Sequence, residues 1–283
     1  VNQLNFVYSL AVFGVASAGS IYGAQYFGKG DMKAINVVEG IALKLSIIVS
    51  SIFFVIAMFF PAQFMRIYTP DEQLIALGVQ YLRVVSLSYI FWSVTEIYKA
   101  VLKSVARVKV CTVMNVITFT SNIAFNAIFI FGLFGMPALG IIGVALGTSL
   151  SRFIELICCI VISVKSQDVK LRLSYMFIKN ELLFKDFIKL SVPALMNDVI
   201  WGIAFSMYSV ILGHLGDDIV AANAVAVMVV NVGAIAMRGF ANATTIVIGQ
   251  TLGANLLKET KSEGIIVNYI PILNSLKVKF NDY

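Results

Sequence analysis

The chain has 283 residues, 59% of them apolar and 13% charged, with a mean hydropathy of +0.91. Soluble domains carry roughly 25% charged residues, so the composition excludes one and points to an integral membrane protein. The formal charge of +6 lies in short loops between apolar runs, where orientation in a membrane explains it and no nucleic-acid partner is needed.

A hydrocarbon core of roughly 30 Å needs about 20 apolar residues per helix. Seven runs of that size occur, at about 4–27, 38–60, 80–102, 109–132, 139–164, 188–213 and 220–250. They lack the alternating polarity of barrel strands, so the expected fold class is all-α, a polytopic membrane helix bundle of about seven transmembrane helices. The chain opens on Val1 within an apolar run, without an initiator Met or a cleavage pattern, and reads as a fragment. Cys111, Cys158 and Cys159 have no metal-ligand spacing and are expected to be core or lipid-facing residues.

The first run closes on "IYGAQYFGKGD" and the last on "IVIGQTLGANL". Lys29 and Lys33 follow the first run, Lys103, Arg107 and Lys109 the third, Lys165 to Lys189 the fifth, and Lys258 and Lys261 the seventh. Those alternate loops are expected to be cytoplasmic, which puts both quoted stretches at cytoplasmic helix ends. At an offset of 225, Gly14, Ala16, Ala18, Gln25 and Gly28 meet Gly239, Ala241, Ala243, Gln250 and Gly253. Two copies of equal topology would be parallel repeats related by an axis along the membrane normal. Two unrelated faces of small residues would give the same match. Gln25, Gly28, Gln250 and Gly253 are therefore candidate hinge residues: small residues admit close backbones, and a glutamine can bond a neighbouring helix end or simply face water.

Polar residues inside the runs are the candidate functional groups. Asn122 and Asn126 are four apart and share a helix face, where their carbonyl oxygens suit a hard cation, and Thr148 adds a hydroxyl. Ordinary interhelical hydrogen bonding is the alternative. A charge at the centre of a membrane helix costs at least about 2.5 kcal/mol unless paired or wetted, which singles out Glu96, Asp198 and Arg238. Glu96 has Lys99 three residues on, and Arg152 has Glu155 at the same spacing. Asp198 follows Pro193, with Asn197 and Trp201 beside it, and a carboxylate held from water can exchange a proton against a cationic substrate. At about 1.5 Å per residue Asp198 and Arg238 lie at similar depths on neighbouring helices, so a pair between them is expected. Tyr8, Phe13, Tyr89, Trp92, Trp201, Phe205 and Tyr208 offer faces for flat cations, with Asn197, Trp201 and Tyr208 the expected cavity residues near Asp198.

"GAQYFGKGD", "SNIAFNAIFIFGLFGMPALGIIGVALGTSLSR" at 121–152 and "SVPALMNDVIWGIAFSMYSVILGHLGDDIVAANAV" at 191–225 resemble the multidrug and toxic compound extrusion (MATE) family. The resemblance implies a twelve-helix transporter of two six-helix lobes, exporting cationic lipophilic drugs or toxins in exchange for Na⁺ or H⁺. The seven runs would be its second to eighth helices: an amino-terminal lobe over 1–165 lacking its first helix, a cytoplasmic linker over 166–187, two helices of the carboxy-terminal lobe over 188–255, and a tail over 256–283. The resemblance puts the family's amino-lobe cation site, an Asn-x-x-x-Asp or Asn-x-x-x-Asn pair with a Thr on the following helix, on Asn122, Asn126 and Thr148, with Asn at the second position here. "PALMNDVIWGIAF" resembles a subgroup motif with an acidic residue between Asn and Trp. The chain is expected to be a monomer in a bacterial plasma (inner) membrane, truncated at both ends, with the bilayer and small cationic organic molecules as partners. Na⁺ or H⁺ is the coupling ion, no cofactor is expected, and no metal beyond Na⁺ at Asn122, Asn126 and Thr148. A lipid or polysaccharide flippase of a related superfamily is the alternative, although its phosphate-bearing substrates call for uncompensated basic residues. No nucleophile and base constellation is found within the runs, so an enzyme is not expected.

Overall fold

Short polar caps decide where the long apolar segments become helical. Asp31 accepts a hydrogen bond from the Ala34 amide at 3.0 Å, Asp71 from the Gln73 amide at 2.8 Å, and Asn180 from the Leu183 amide at 3.1 Å. Each cap starts a helix earlier than its apolar run begins. The computed structural model describes residues 2–66, 71–166, 169–178, 180–214 and 217–256. Among them the helices are α1 (Asn2–Gly28), α2 (Met32–Phe59), α3 (Pro61–Arg66), α4 (Glu72–Ser104), α5 (Val108–Phe131), α6 (Gly140–Lys165), α7 (Glu181–His214) and α8 (Asp217–Gly253).

The all-α class is thus as expected. Six helices, α1, α2, α4, α5, α6 and α7, contain described segments long and apolar enough to cross a membrane, and α8 has the length to do so. The short α3 was not anticipated; Pro61 cannot continue α2 but is well placed to open a new helix.

α1 is the hub of the bundle, touching α2, α4, α7 and α8, while α5 and α6 form a hairpin that joins through α6 to α4. Glycines allow the closest approaches. Cβ atoms placed on Gly143 and on Gly14 would lie 2.7 Å from the Phe129 carbonyl oxygen and 3.0 Å from the Leu195 Cα, so α6 seats on α5 and α1 on α7. The hairpin turn closes on Gly132, whose φ of +67° ends α5 in the left-handed conformation. Val116, Phe119 and Ile123 leave the outer face of α5 apolar and exposed, as a lipid-facing surface requires.

The segment between α6 and α7 is not an open connection. Val169 is fully buried beside Tyr98, Leu102, Met114 and Cys159. The Leu171 amide donates to Ser163 Oγ at 2.6 Å, and the Tyr98 hydroxyl donates to the Val169 carbonyl at 3.4 Å. A short 3-10 turn, Leu173–Phe177, then rests on α2. Helix α7 begins at Glu181, before the expected run at 188, because Asn180 caps it and Leu183 and Phe187 are buried in the core shared by α1 and α2.

Candidate functional site

A cavity of about 230 Å³ lies between α1, α4 and α6, lined by Asn5, Tyr8, Ser9, Ser88, Tyr89, Trp92, Thr148 and Arg152 among others. Its wall is built from aromatic rings that share hydrogen bonds. The Tyr8 hydroxyl donates to the Tyr89 carbonyl at 2.5 Å and lies 3.1 Å from Ser50 Oγ, and the Tyr89 hydroxyl donates to Asn5 Oδ1 at 2.5 Å. Tyr8 packs on Tyr89 and Trp92 with centroids 4.5 Å and 5.4 Å apart, and Phe13 meets Trp92 edge-on at 5.6 Å. With their hydroxyls bonded inside the protein, the buried Tyr8 and Tyr89 rings are held in place and fix Trp92 beside them.

Arg152 enters this wall from α6 with its guanidinium 5.5 Å from the Trp92 centroid. The same side chain donates to Glu155 Oε2 at 2.8 Å. Glu155 is fully buried and also receives Lys99 Nζ at 2.8 Å, and Lys99 in turn reaches Glu96 at 2.9 Å and Asn115 Oδ1 at 3.2 Å. Lys103 lies 3.9 Å from Glu96. Two carboxylates and three cations thus form one network from the cavity wall to the basic end of the bundle, where pairing offsets the cost of burying each charge. The local Glu96–Lys99 and Arg152–Glu155 pairs follow from i,i+3 spacing. The Lys99–Glu155 bond that joins them spans two helices, and no spacing signals it. Glu96 does not line the cavity.

The other sequence-expected residues fall in separate places. Asn126 Nδ2 donates to Asn122 Oδ1 at 3.1 Å, and Asn122 Nδ2 donates to Ser151 Oγ at 3.2 Å, at the contact of α5 with α6. Asn126 Oδ1 is buried against Gly147 and accepts no hydrogen bond. Thr148 lines the cavity instead, and neither asparagine does. The reason is helical phase: Gly147 and Ser151 are four apart and face α5, whereas Thr148 is about 100° further round.

Asp198 is half-buried on α7, Asn197 is exposed, and Trp201 and Tyr208 are about half exposed. Trp201 stacks on Phe205 at 5.3 Å, and Phe205 meets Tyr208 and Phe6 at 6.2 Å and 6.0 Å, which makes a second aromatic surface along α7 and the start of α1. The Arg238 side chain, the expected partner of Asp198, lies outside the described residues. At the basic end, Gly28 packs on Gln250 and Gly253 on Gln25. Gln250 Nε2 also donates to the Ser104 carbonyl at 2.8 Å, joining α8 to the end of α4.

Comparison with known proteins gives a consistent picture. The family model described as MatE matches residues 1–128 and 193–276. The "Probable multidrug resistance protein YoeA" of Bacillus subtilis (strain 168) is 26% identical over 265 residues, covering 91% of this chain and 57% of that protein. A "Probable multidrug resistance protein NorM" of Mannheimia succiniciproducens is 24% identical, covering 74% of this chain and 46% of the relative. The chain therefore spans about half the length of the curated relatives it matches. An outward-facing multidrug resistance MATE family transporter of the MOP superfamily superposes with a TM-score of 0.83 at 19% identity, covering 96% of this chain and 60% of that one. At that identity the likeness shows a shared fold.

Proposed function

Since the chain belongs to the MatE family of multidrug and toxic compound extrusion transporters, we propose that it acts in secondary antiport, exporting lipophilic aromatic cations from a bacterial cell in exchange for H⁺ or Na⁺. The observation that carries this reading is the placement of Arg152 over Trp92 at 5.5 Å in the wall of the aromatic cavity. A planar cation already occupies an indole face there, and an organic cation of similar shape makes the same interaction. Glu155 binds the Arg152 guanidinium at 2.8 Å and so lowers the repulsion that an incoming cation meets.

Two groups support the exchange half. Asn126 Oδ1 is a buried acceptor without a hydrogen-bond donor, suited to a cation, and Asp198 is a carboxylate near the second aromatic surface, suited to a proton. Membership of a transporter family fits a chain without a chemical reaction of its own.

The test is gradient-driven movement of a fluorescent lipophilic aromatic cation in proteoliposomes, with a pH gradient in one arm and a Na⁺ gradient in the other. Movement in one arm is expected and identifies the coupling ion. Trp92→Leu is expected to weaken substrate binding by about tenfold, the equivalent of about 1.4 kcal/mol. No movement in either arm, with protein correctly inserted, overturns the reading.

A further inference from the structure

Glu39 of α2 is fully buried, and neither of its carboxylate oxygens has a hydrogen-bond partner among the described residues. Asn36, three residues earlier on the same face, also has a buried, unpartnered Oδ1. The other buried acids are treated differently. Glu96 meets Lys99 at 2.9 Å, and Glu155 meets Lys99 and Arg152, each at 2.8 Å. Among the described residues no lysine or arginine pairs with Glu39.

A bare carboxylate in such a place costs several kcal/mol beyond a neutral carboxyl, whose unmade hydrogen bonds cost about 1–3 kcal/mol each. The group must therefore hold a cation. Three oxygens from one helix face are too few for a metal ion, which takes six or more oxygen ligands in the case of a hard divalent cation. A proton needs one oxygen.

The groups around Glu39 are suited to keep it neutral. Among the described residues, Tyr98 from α4 and Cys159 from α6 interact electrostatically with Glu39, and neither is a cation at any pH. From α1, Tyr22 turns its hydroxyl away to the Asp186 carbonyl at 3.0 Å, and Asp186 itself, on α7, is exposed. Over the next residue, Gly40, lies the backbone of Tyr175 and Met176; a Cβ on Gly40 would meet the Tyr175 carbonyl oxygen and stand 3.0 Å from the Met176 amide nitrogen. This strap, the Leu173–Phe177 turn, is pinned through buried Val169 and the Ser163–Leu171 hydrogen bond. Arg172, which precedes the turn, is exposed and stacks over the Tyr175 ring.

We propose that Glu39, with Asn36 beside it, is a proton-binding site roofed by this strap. Under the strap the carboxyl keeps its O–H bond. When the strap lifts, that bond breaks heterolytically, water takes the proton, and the carboxylate left behind is solvated. The site thus ties proton release to the segment that joins α6 to α7. It goes beyond the transport reading and does not rest on it, because proton occupancy is measured at equilibrium without any substrate.

The experiment is infrared difference spectroscopy of the full chain in lipid nanodiscs across a pH titration, with Glu39→Gln subtracted. A neutral-carboxyl C=O band at pH 7 that is absent from Glu39→Gln is expected. Glu39→Leu, which removes the orphan oxygens outright, provides the same subtraction should the glutamine variant misfold. A carboxylate band at pH 7 overturns the proposal. So does a neutral band that converts to carboxylate on adding Na⁺ at constant pH, since the occupant is then a metal ion. Gly40→Ala pushes the strap outward, and water then stabilises the ion, so its neutral band should disappear about one pH unit lower than in the wild type. Loss of the band at the same pH, in a variant with unchanged helix content, overturns the roofing role.

Discussion

Gly28 of α1 lies against the backbone carbonyl of Gln250 on α8, and Gly253 of α8 lies in the same way against the carbonyl of Gln25 on α1. A third contact obeys the same rule: a Cβ on Gly249 would stand 2.8 Å from the Cβ of Ala24. Exchanging the two helices at the offset of 225 maps each contact onto itself or its partner, as two-fold rotation demands. Both helices reach this crossing at the basic end, so they run in parallel, the geometry of repeats related by an axis along the membrane normal.

The crossing predicts a pattern among alanine substitutions. Gly28→Ala and Gly253→Ala each force a methyl into a backbone carbonyl and should cost about 1–3 kcal/mol, read as a lowered unfolding temperature in detergent. Gly14→Ala meets Leu195 and should also destabilise, by less. Gly239→Ala, its counterpart at the offset, has open space and should be neutral. A repeat in sequence is therefore not a repeat in burial. Equal effects at Gly14 and Gly239 would contradict the packing described.

The seven runs were legible because hydropathy over about 20 residues is a strong signal. Their ends were not, because Asp31, Asp71 and Asn180 nucleate helix in polar sequence that hydropathy discards. That shift hid Glu39. With the second run taken from 38 it sits at the mouth of a helix, whereas α2 begins at Met32 and carries it inside. The asparagine pair is visible from its spacing of four, and Thr148 joins it as a hydroxyl of the next run and by family resemblance. Its phase beside Gly147 points it to the cavity. The Lys99–Glu155 bond and the Tyr8–Tyr89 wall unite residues far apart in the chain, and no local pattern encodes them.

The buried network predicts unequal consequences for its members. Glu155→Ala leaves Lys99 with Glu96 as its carboxylate partner and removes the ionic partner of Arg152, so a loss of about 3–5 kcal/mol is expected. Adding Lys99→Met to that change should recover part of the loss, since the buried cation goes with its partner. Glu72→Ala, which breaks the exposed pair with Arg66, should change stability by less than about 1 kcal/mol. Denaturation of the wild type, these three variants and Lys99→Met alone in one detergent checks this ordering, and additive effects of Glu155→Ala and Lys99→Met would contradict the network.

Asn126 predicts how the chain responds to sodium. Its Oδ1 is an unsatisfied acceptor beside Gly147, but the site has no carboxylate to neutralise an ion. Asn126→Asp supplies one with almost no change of shape. Sodium should then raise the unfolding temperature of the variant clearly more than that of the wild type, with potassium as the control. An equal sodium response in both proteins would place sodium binding elsewhere.

Asp198 predicts a separation of binding from coupling. On α7 it shares a helix face with Leu195, which packs on Gly14, and with Gly202, where a Cβ would lie 2.6 Å from Leu10 Cδ1. It lies on α7 between those two contacts with α1, half-buried and one turn from the stacked rings of Trp201 and Phe205. A carboxylate there can take up a proton when the substrate leaves and lose it when the substrate returns, provided no fixed cation holds it ionised. Asp198→Asn keeps the shape and removes the exchangeable proton. Under a pH gradient the variant should move substrate at least about tenfold more slowly, equal to about 1.4 kcal/mol, while equilibrium binding of the same fluorescent cation changes less than about twofold. Undiminished pH-driven movement would remove Asp198 from the coupling. A parallel loss of binding would make it a residue of the substrate surface instead.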